Sequence, residues 1–205
     1  MKSKLKKQDQ KLLRNKYDSD NIFDIPTVRK CSINNKSLKF IAFDQVDNSK
    51  RNSEEKSIHF FIDDDKFNKV YDKAEKYFEK LAKFEVVLTP DFSLYADMPL
   101  AIQINSVFKN RWCGAYWQDL GFRCVIPTIN WGDERSYEFC FLGVEMGSVV
   151  AVSTLGSRRE KDLFIKGYKK MMEVIKPIQI FCYDEPFDEM EGEILYVEYI
   201  PNRGG

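Results

Sequence analysis

The chain has a single histidine, and its five cysteines include no C-x-x-C pair. A structural zinc site of the Cys/His type is therefore hard to assemble. Cys31, Cys113, Cys124, Cys140 and Cys182 are odd in number and widely scattered, and most have apolar or aromatic neighbours. A free thiol in such surroundings acts as a small hydrophobe. Reduced structural thiols are expected, and disulfides are not. No stretch approaches the ~20 consecutive apolar residues that span a bilayer. The opening MKSKLKKQDQKLLRNK lacks the apolar segment of a signal peptide. A cytoplasmic protein without a membrane partner is the expectation. Net charge is missing too: 32 Lys and Arg balance 32 Asp and Glu, so there is no global basic signature of nucleic-acid binding.

What is present is ample apolar material, 43% hydrophobic and 14% aromatic in 205 residues, enough for one domain with a sizeable core. Charge is uneven along it. Residues 1–16 carry Lys2, Lys4, Lys6, Lys7, Lys11, Arg14 and Lys16 against Asp9 alone, whereas 184–193 are acidic. The arm either contacts phosphate or an acidic partner, or is a solvated tail with too few apolar residues to join the core. Residues 1–37 thus read as a basic arm and an irregular segment, and 38–205 as a single α/β domain.

Within that domain, two β-favouring runs, Leu38–Val46 and Lys56–Asp63, flank the polar stretch DNSKRNSEE. This predicts a hairpin over 38–63 with Lys50 and Arg51 at its tip. A helix is predicted over Lys66–Lys83 from the spacing of Phe67, Val70, Tyr71, Ala74, Tyr77, Phe78 and Leu81. Two more are predicted over Met98–Asp119 and Arg158–Ile175. Trp112 and Tyr116 share a stripe on the second with Ile102, Val107 and Phe108. FEVVLT, FRCVIPTI, SVVAVS, IQIFCY and EILYVEYI are short apolar runs between or after the helices. Apolar strands alternating with helices predict a mainly parallel sheet, open or partial-barrel, flanked by helices and carrying the N-terminal β-hairpin.

In a parallel sheet the strand C-termini share one edge, so residues distant in sequence converge there. The ends read IDDD, TPDFS, INWGDE, STLGSRR and CYDE. Carboxylates from different ends can hold Mg²⁺ or Mn²⁺ and assist phosphoester hydrolysis. Asp63, Asp91 and Asp133 are the metal candidates, and Asp91, Asp133, Glu134 and His59 the catalytic ones. The same acids also suit helix capping, and a histidine alternating between Ile58 and Phe60 also suits a structural hydrogen bond. STLGSRR leads from a strand into a helix N-terminus. Ser153, Thr154, Gly156, Arg158 and Arg159 are therefore candidates for phosphate contact, with capping by Ser157 as the alternative. Trp131, just past a strand end, is a candidate for stacking on a base.

The run IHFFIDDDKFNKVY … VLTPDFSLYADMPLAIQINSVFKNRWCGAYWQDLGF … VIPTINWGDERSYEFC … VAVSTLG … IKPIQIF resembles a family carried by phages and plasmids, catalogued as domain of unknown function 4417. TPDFSLYADMP and WGDE are its most specific strings. The chain departs from the pattern at CYDE, where a Tyr-Gly ending is expected, so nothing is carried over to Asp184. The resemblance implies carriage on a mobile element. A looser similarity to anti-CRISPR proteins that disable Cas9, some through the guide RNA and an N-terminal hairpin, implies a counter-defence role in a bacterial host cell. The partner would be nucleic acid, RNA above DNA, or the Cas9 ribonucleoprotein. A metal-dependent nuclease using Asp91 and Asp133, and a non-catalytic inhibitor binding through hairpin and arm, are the competing expectations.

Overall fold

The structure, a computed structural model, describes residues 14, 17, 19–33, 38–46 and 56–199. Seven short strands follow in chain order: β1 (Lys39–Ala42), β2 (Lys56–His59), β3 (Val86–Leu88), β4 (Cys124–Ile126), β5 (Val149–Ser153), β6 (Gln179–Tyr183) and β7 (Ile194–Val197). They form two ladders, β1-β2-β3-β4 and β5-β6-β7, and every pairing is parallel. Spatial order repeats sequence order, so among the described residues there is no topological switch point.

The two ladders meet because of a proline. Pro127 follows β4 and has no N–H to give a neighbour. Thr128 N–H bonds the side-chain oxygen of Thr89 instead, at 2.8 Å. The chain then turns to β5: Ala151 N–H donates to the Pro127 carbonyl (3.0 Å) and Ile129 N–H to the Ala151 carbonyl (2.8 Å). The joined sheet is strongly curled. Phe40 on β1 meets Phe181 on β6 with ring centroids 5.3 Å apart, and His59 on β2 meets Tyr183 on β6 at 4.4 Å. In a flat sheet, β1 and β6 would lie roughly 24 Å apart at ~4.8 Å per strand. The protein is a partial barrel, its interior filled by Phe61, Val86, Leu88, Cys124, Ile126, Val149, Ala151 and Phe181.

The N-terminal strand pair is there, but it is not a hairpin: β1 and β2 run parallel, with Lys39 opposite Lys56. Phe43, buried in a 3₁₀ turn (Phe43–Gln45) directly after β1, stacks on Phe60 at 4.9 Å. That packing takes the chain off the sheet directly after β1. The expected tip, Lys50 and Arg51, lies outside the described residues.

Helices cover the outside. The first predicted helix is real but broken into α1 (Asp64–Phe67), α2 (Lys69–Asp72) and α3 (Ala74–Leu81), interrupted at Lys73 with φ −133° and ψ 44°. Its apolar face still buries Phe67, Val70, Ala74 and Leu81. Helix α4 (Leu100–Asp119) starts after Pro99 and stops before Gly121, whose φ of 84° favours glycine. It buries Trp112 and Trp117, while Ile102, expected on the stripe, is half exposed. Helix α5 (Lys161–Ile175) starts later than predicted. A 3₁₀ turn (Ser157–Glu160) precedes it, with Gly156 rather than Ser157 at the cap.

The irregular segment before β1 is not an appendage. Ile25 and Val28 are fully buried, Val28 bridges to Val144, and Arg29 N–H donates to Gln118 at 2.8 Å. Cys31 and Cys124 are joined by a disulfide, contrary to expectation. The fold lays the segment beside β4, a neighbourhood that spacing along the chain cannot reveal. Cys113, Cys140 and Cys182 are free and buried, and burial pushes their thiols up, which keeps them protonated and inert. Arg14, within the expected loose arm, is docked. Its guanidinium lies 4.3 Å from the rings of both Tyr71 and Trp112, and the Trp112 indole donates to its carbonyl at 2.6 Å.

Candidate active site at the barrel mouth

With all strands parallel, their C-terminal ends ring one mouth, the end at which closed α/β barrels carry their sites. A cavity of about 680 Å³ opens there. After β2 it is lined by Phe61, Ile62 and Asp63; after β3 by Asp91, Ser93, Tyr95 and Asp97; after β4 by Asn130, Trp131 and Gly132; after β5 by Ser153, Leu155 and Gly156. Glu160 and Phe164 close the far wall. Among the described residues no Lys or Arg lines it.

Asp91 is the best-held acid on this wall. Asn130 donates to its Oδ1 at 2.9 Å and to the Phe92 carbonyl at 2.8 Å, tying the ends of β3 and β4 together. Burial pushes the Asp91 carboxyl up to about 7; the charge of Asp64 adds to this, and the Asn130 hydrogen bond opposes it. Asp64 is itself clamped by Ser93, whose hydroxyl donates at 2.9 Å and whose N–H donates at 3.2 Å. Tyr95 hydroxyl lies 3.3 Å from the Ser93 hydroxyl. The relevant acidic neighbour is thus Asp64, the second acid of the strand-end run IDDD. Asp63, the expected ligand, turns outward to Lys66 at 3.3 Å and is largely exposed.

A buried polar layer below the cavity fixes these loops. Thr89 donates to Asn110 (2.7 Å), and Asn110 donates to the Pro90 carbonyl (2.8 Å). Arg111, fully buried and facing no carboxylate, donates to the carbonyls of Thr128 (2.9 Å), Cys140 (2.9 Å) and Leu142 (3.0 Å). Burial lowers its pKa to about 10, so the guanidinium stays charged. In sequence these residues carry no signal beyond sitting on a helix with aromatic neighbours. Trp131 packs on Phe164 at 5.0 Å and against Gly167 of α5, where a side chain would collide with its indole.

Other candidates are placed elsewhere. Asp133 is capped onto a 3₁₀ turn (Glu134–Glu138) and paired with Arg135 at 2.9 Å, which holds its carboxyl below the usual range. It does not join Asp91. Glu134 is exposed, 3.9 Å from Lys166. Among the described residues no three His, Cys, Asp or Glu side chains gather as a metal site requires, so Asp63, Asp91 and Asp133 are not one centre. His59 is buried in the barrel, accepts from Phe61 N–H at 3.2 Å, and is held neutral by burial, its pKa lowered to about 4. Ser153 and Gly156 reach the cavity, but Thr154 is fully buried and donates to the Glu185 carbonyl at 2.8 Å. Arg158 leans away onto Phe187, between Asp184 and Glu185 at 3.8 and 3.6 Å, so its charge is already met. Arg159 is exposed and off the lining.

The architecture is that of a parallel α/β partial barrel with an acid-bearing pocket at its C-terminal mouth. The chain belongs to the family described as domain of unknown function DUF4417, whose model matches residues 17–200. Its relatives include the Gene 1 protein of Mycobacterium phage L5, 39% identical over 132 residues, which are 63% of this chain and 57% of that protein. The Gene 1 protein of Mycobacterium phage D29 is 38% identical over 130 residues, 62% of this chain and 48% of that protein. The chain therefore spans about half the length of these curated relatives. No solved structure matches it. Among the described residues no helix is long and apolar enough to cross a membrane.

Proposed function

We propose that the protein is a mobile-element enzyme that exchanges a proton with a small bound molecule through Asp91 at the barrel mouth. The observation that carries this is the placement of Asp91: on the cavity wall, fixed at one oxygen by Asn130, beside a second carboxylate that Ser93 clamps. A positioned carboxyl with a midpoint near neutrality can give or take a proton at working pH. The cavity volume lies in the range that encloses small ligands. The phage relatives supply the mobile-element setting. Inhibition of Cas9 through its guide RNA has weaker support, because the hairpin that suggested it is a parallel pair. A phosphodiester in this pocket would meet carboxylates and, among the described residues, no cation.

The test is a carbon-detected NMR titration of the Asp91 carboxyl. A midpoint near 7 that falls in Asp64→Asn is expected. A midpoint at the ordinary carboxylate value, unmoved by Asp64→Asn, would remove Asp91 as a proton-exchanging group and sink the reading.

A further inference from the structure

The acids at the mouth outnumber their partners. Asp97 and Glu160 line the cavity with no described cation paired to either. The charge of Asp64 opposes ionisation of Asp91, and Arg111 below them is spent on backbone carbonyls. The remaining walls are aromatic: Phe61, Tyr95, Trp131 and Phe164. Ring faces carry negative potential and attract cations, so a ring face met by a ligand favours the same sign of charge as the acids do. A divalent metal is a poorer match, since it needs several converging oxygen ligands and no three acids converge among the described residues.

We propose that the cavity takes an organic cation, an amine or guanidinium borne on an apolar frame, in preference to phosphate-bearing or uncharged molecules. This rests on Asp91 acting as a proton-exchanging wall group. On binding, the protonated Asp91 carboxyl releases its proton to solvent and the resulting carboxylate pairs with the ligand's N–H. The apolar frame lies against Trp131 and Phe164. One proton is therefore released per ligand below the Asp91 midpoint, and affinity weakens about tenfold per pH unit there. Above the midpoint affinity levels off.

The experiment is calorimetric titration of the full chain with three probes that share a ring and differ in head group: 2-phenylethylamine, 2-phenylethanol and phenyl phosphate, with MgCl₂ alone as a fourth. At pH 8 the amine should bind at least about tenfold tighter than the alcohol, a difference of one charged contact. Phenyl phosphate and Mg²⁺ should give no heat. In Asp91→Asn the amine should lose its advantage and its pH dependence, while circular dichroism stays unchanged. Amine binding no tighter than the alcohol, including binding by neither, overturns the proposal, as does tighter binding of phenyl phosphate or of Mg²⁺. The NMR titration separates the failures. If the Asp91 midpoint stays near 7 while the amine shows no preference, only the ligand class is wrong; a midpoint near 4 takes both readings down.

Discussion

Two titrating groups, one at the cavity wall and one in the core, pull stability in opposite directions. Asp91 has a folded pKa near 7, above its unfolded value, so the folded state holds a proton the unfolded chain has lost. Stability from this group is greatest below about pH 4 and is lost as pH rises to 7. His59 is the reverse: its folded pKa of about 4 lies below the unfolded one, so stability is lost as pH falls from about 6.5 to 4. Asp91→Asn removes the first effect only. The variant should gain on the order of 2 kcal/mol over wild type at pH 8, less than the full linkage value because the side chain is only partly buried, and nothing at pH 4. Urea denaturation at both pH values checks this, and an equal gap at both would contradict it. Trp131 gives a second residue-level test. A Cβ on Gly167 would lie 2.2 Å from the indole nitrogen, so Gly167→Ala must expel the ring from its seat. A red-shifted tryptophan emission and a loss of about 1–3 kcal/mol are expected; unchanged emission would mean the helix yields instead. That Asp91 and Trp131 lie at the strand-end mouth was legible, because each follows an apolar strand. Asp64 was not, because IDDD offers three adjacent acids and only the local backbone decides which one faces Ser93.

At the scale of elements, apolar runs located all seven strands, and the misreadings have specific causes. A polar stretch between two strands reads as a hairpin tip whichever way the second strand runs; here the pairing is parallel, and Phe43 leaves β1 to stack on Phe60. The i, i+3, i+4 spacing found the face of α1–α3 but is insensitive to a break at Lys73, since both sides keep their apolar residues inward. Of the arm only Arg14 is among the described residues, and composition gave no sign of its docking: it covers two aromatic rings and donates to the Asp72 carbonyl at 3.3 Å. Cation–π contacts contribute about 0.5–2 kcal/mol, and in a chain of this size each kcal/mol moves Tm by about 2–4 °C. Arg14→Ala should lower Tm by a few degrees in a thermal scan, whereas Lys4→Ala or Lys7→Ala should not. A thermal midpoint unmoved by Arg14→Ala would show the anchor to be idle.

For the whole molecule, the parallel class was readable from strand–helix alternation, but the curl was not. Alternation fixes strand direction, and nothing in it distinguishes a flat sheet from a partial barrel. The curl comes from two features with weak signals. Pro127 hands β4 on to β5 through Thr128, and large side chains from opposite ends of the sheet, Phe40, Phe61, Phe181 and Tyr183, are long enough to fill the interior and meet. The disulfide between Cys31 and Cys124 likewise depends on where the fold lays a segment 93 residues away. The curl is also what makes the site, because it brings the ends of β3 and β5 round one cavity so that Asp91 and Ser153 face a shared space. It has a direct energetic signature. Phe40 and Phe181 lie on strands five places apart in order, and edge-to-face ring pairs couple by about 0.5–1.5 kcal/mol. A double-mutant cycle with Phe40→Leu and Phe181→Leu, followed by chemical denaturation, should return a coupling in that range, because only in a closed-up sheet do the rings touch. Strict additivity would place the two strands apart, flatten the sheet, and dissolve the cavity on which the reading of Asp91 depends.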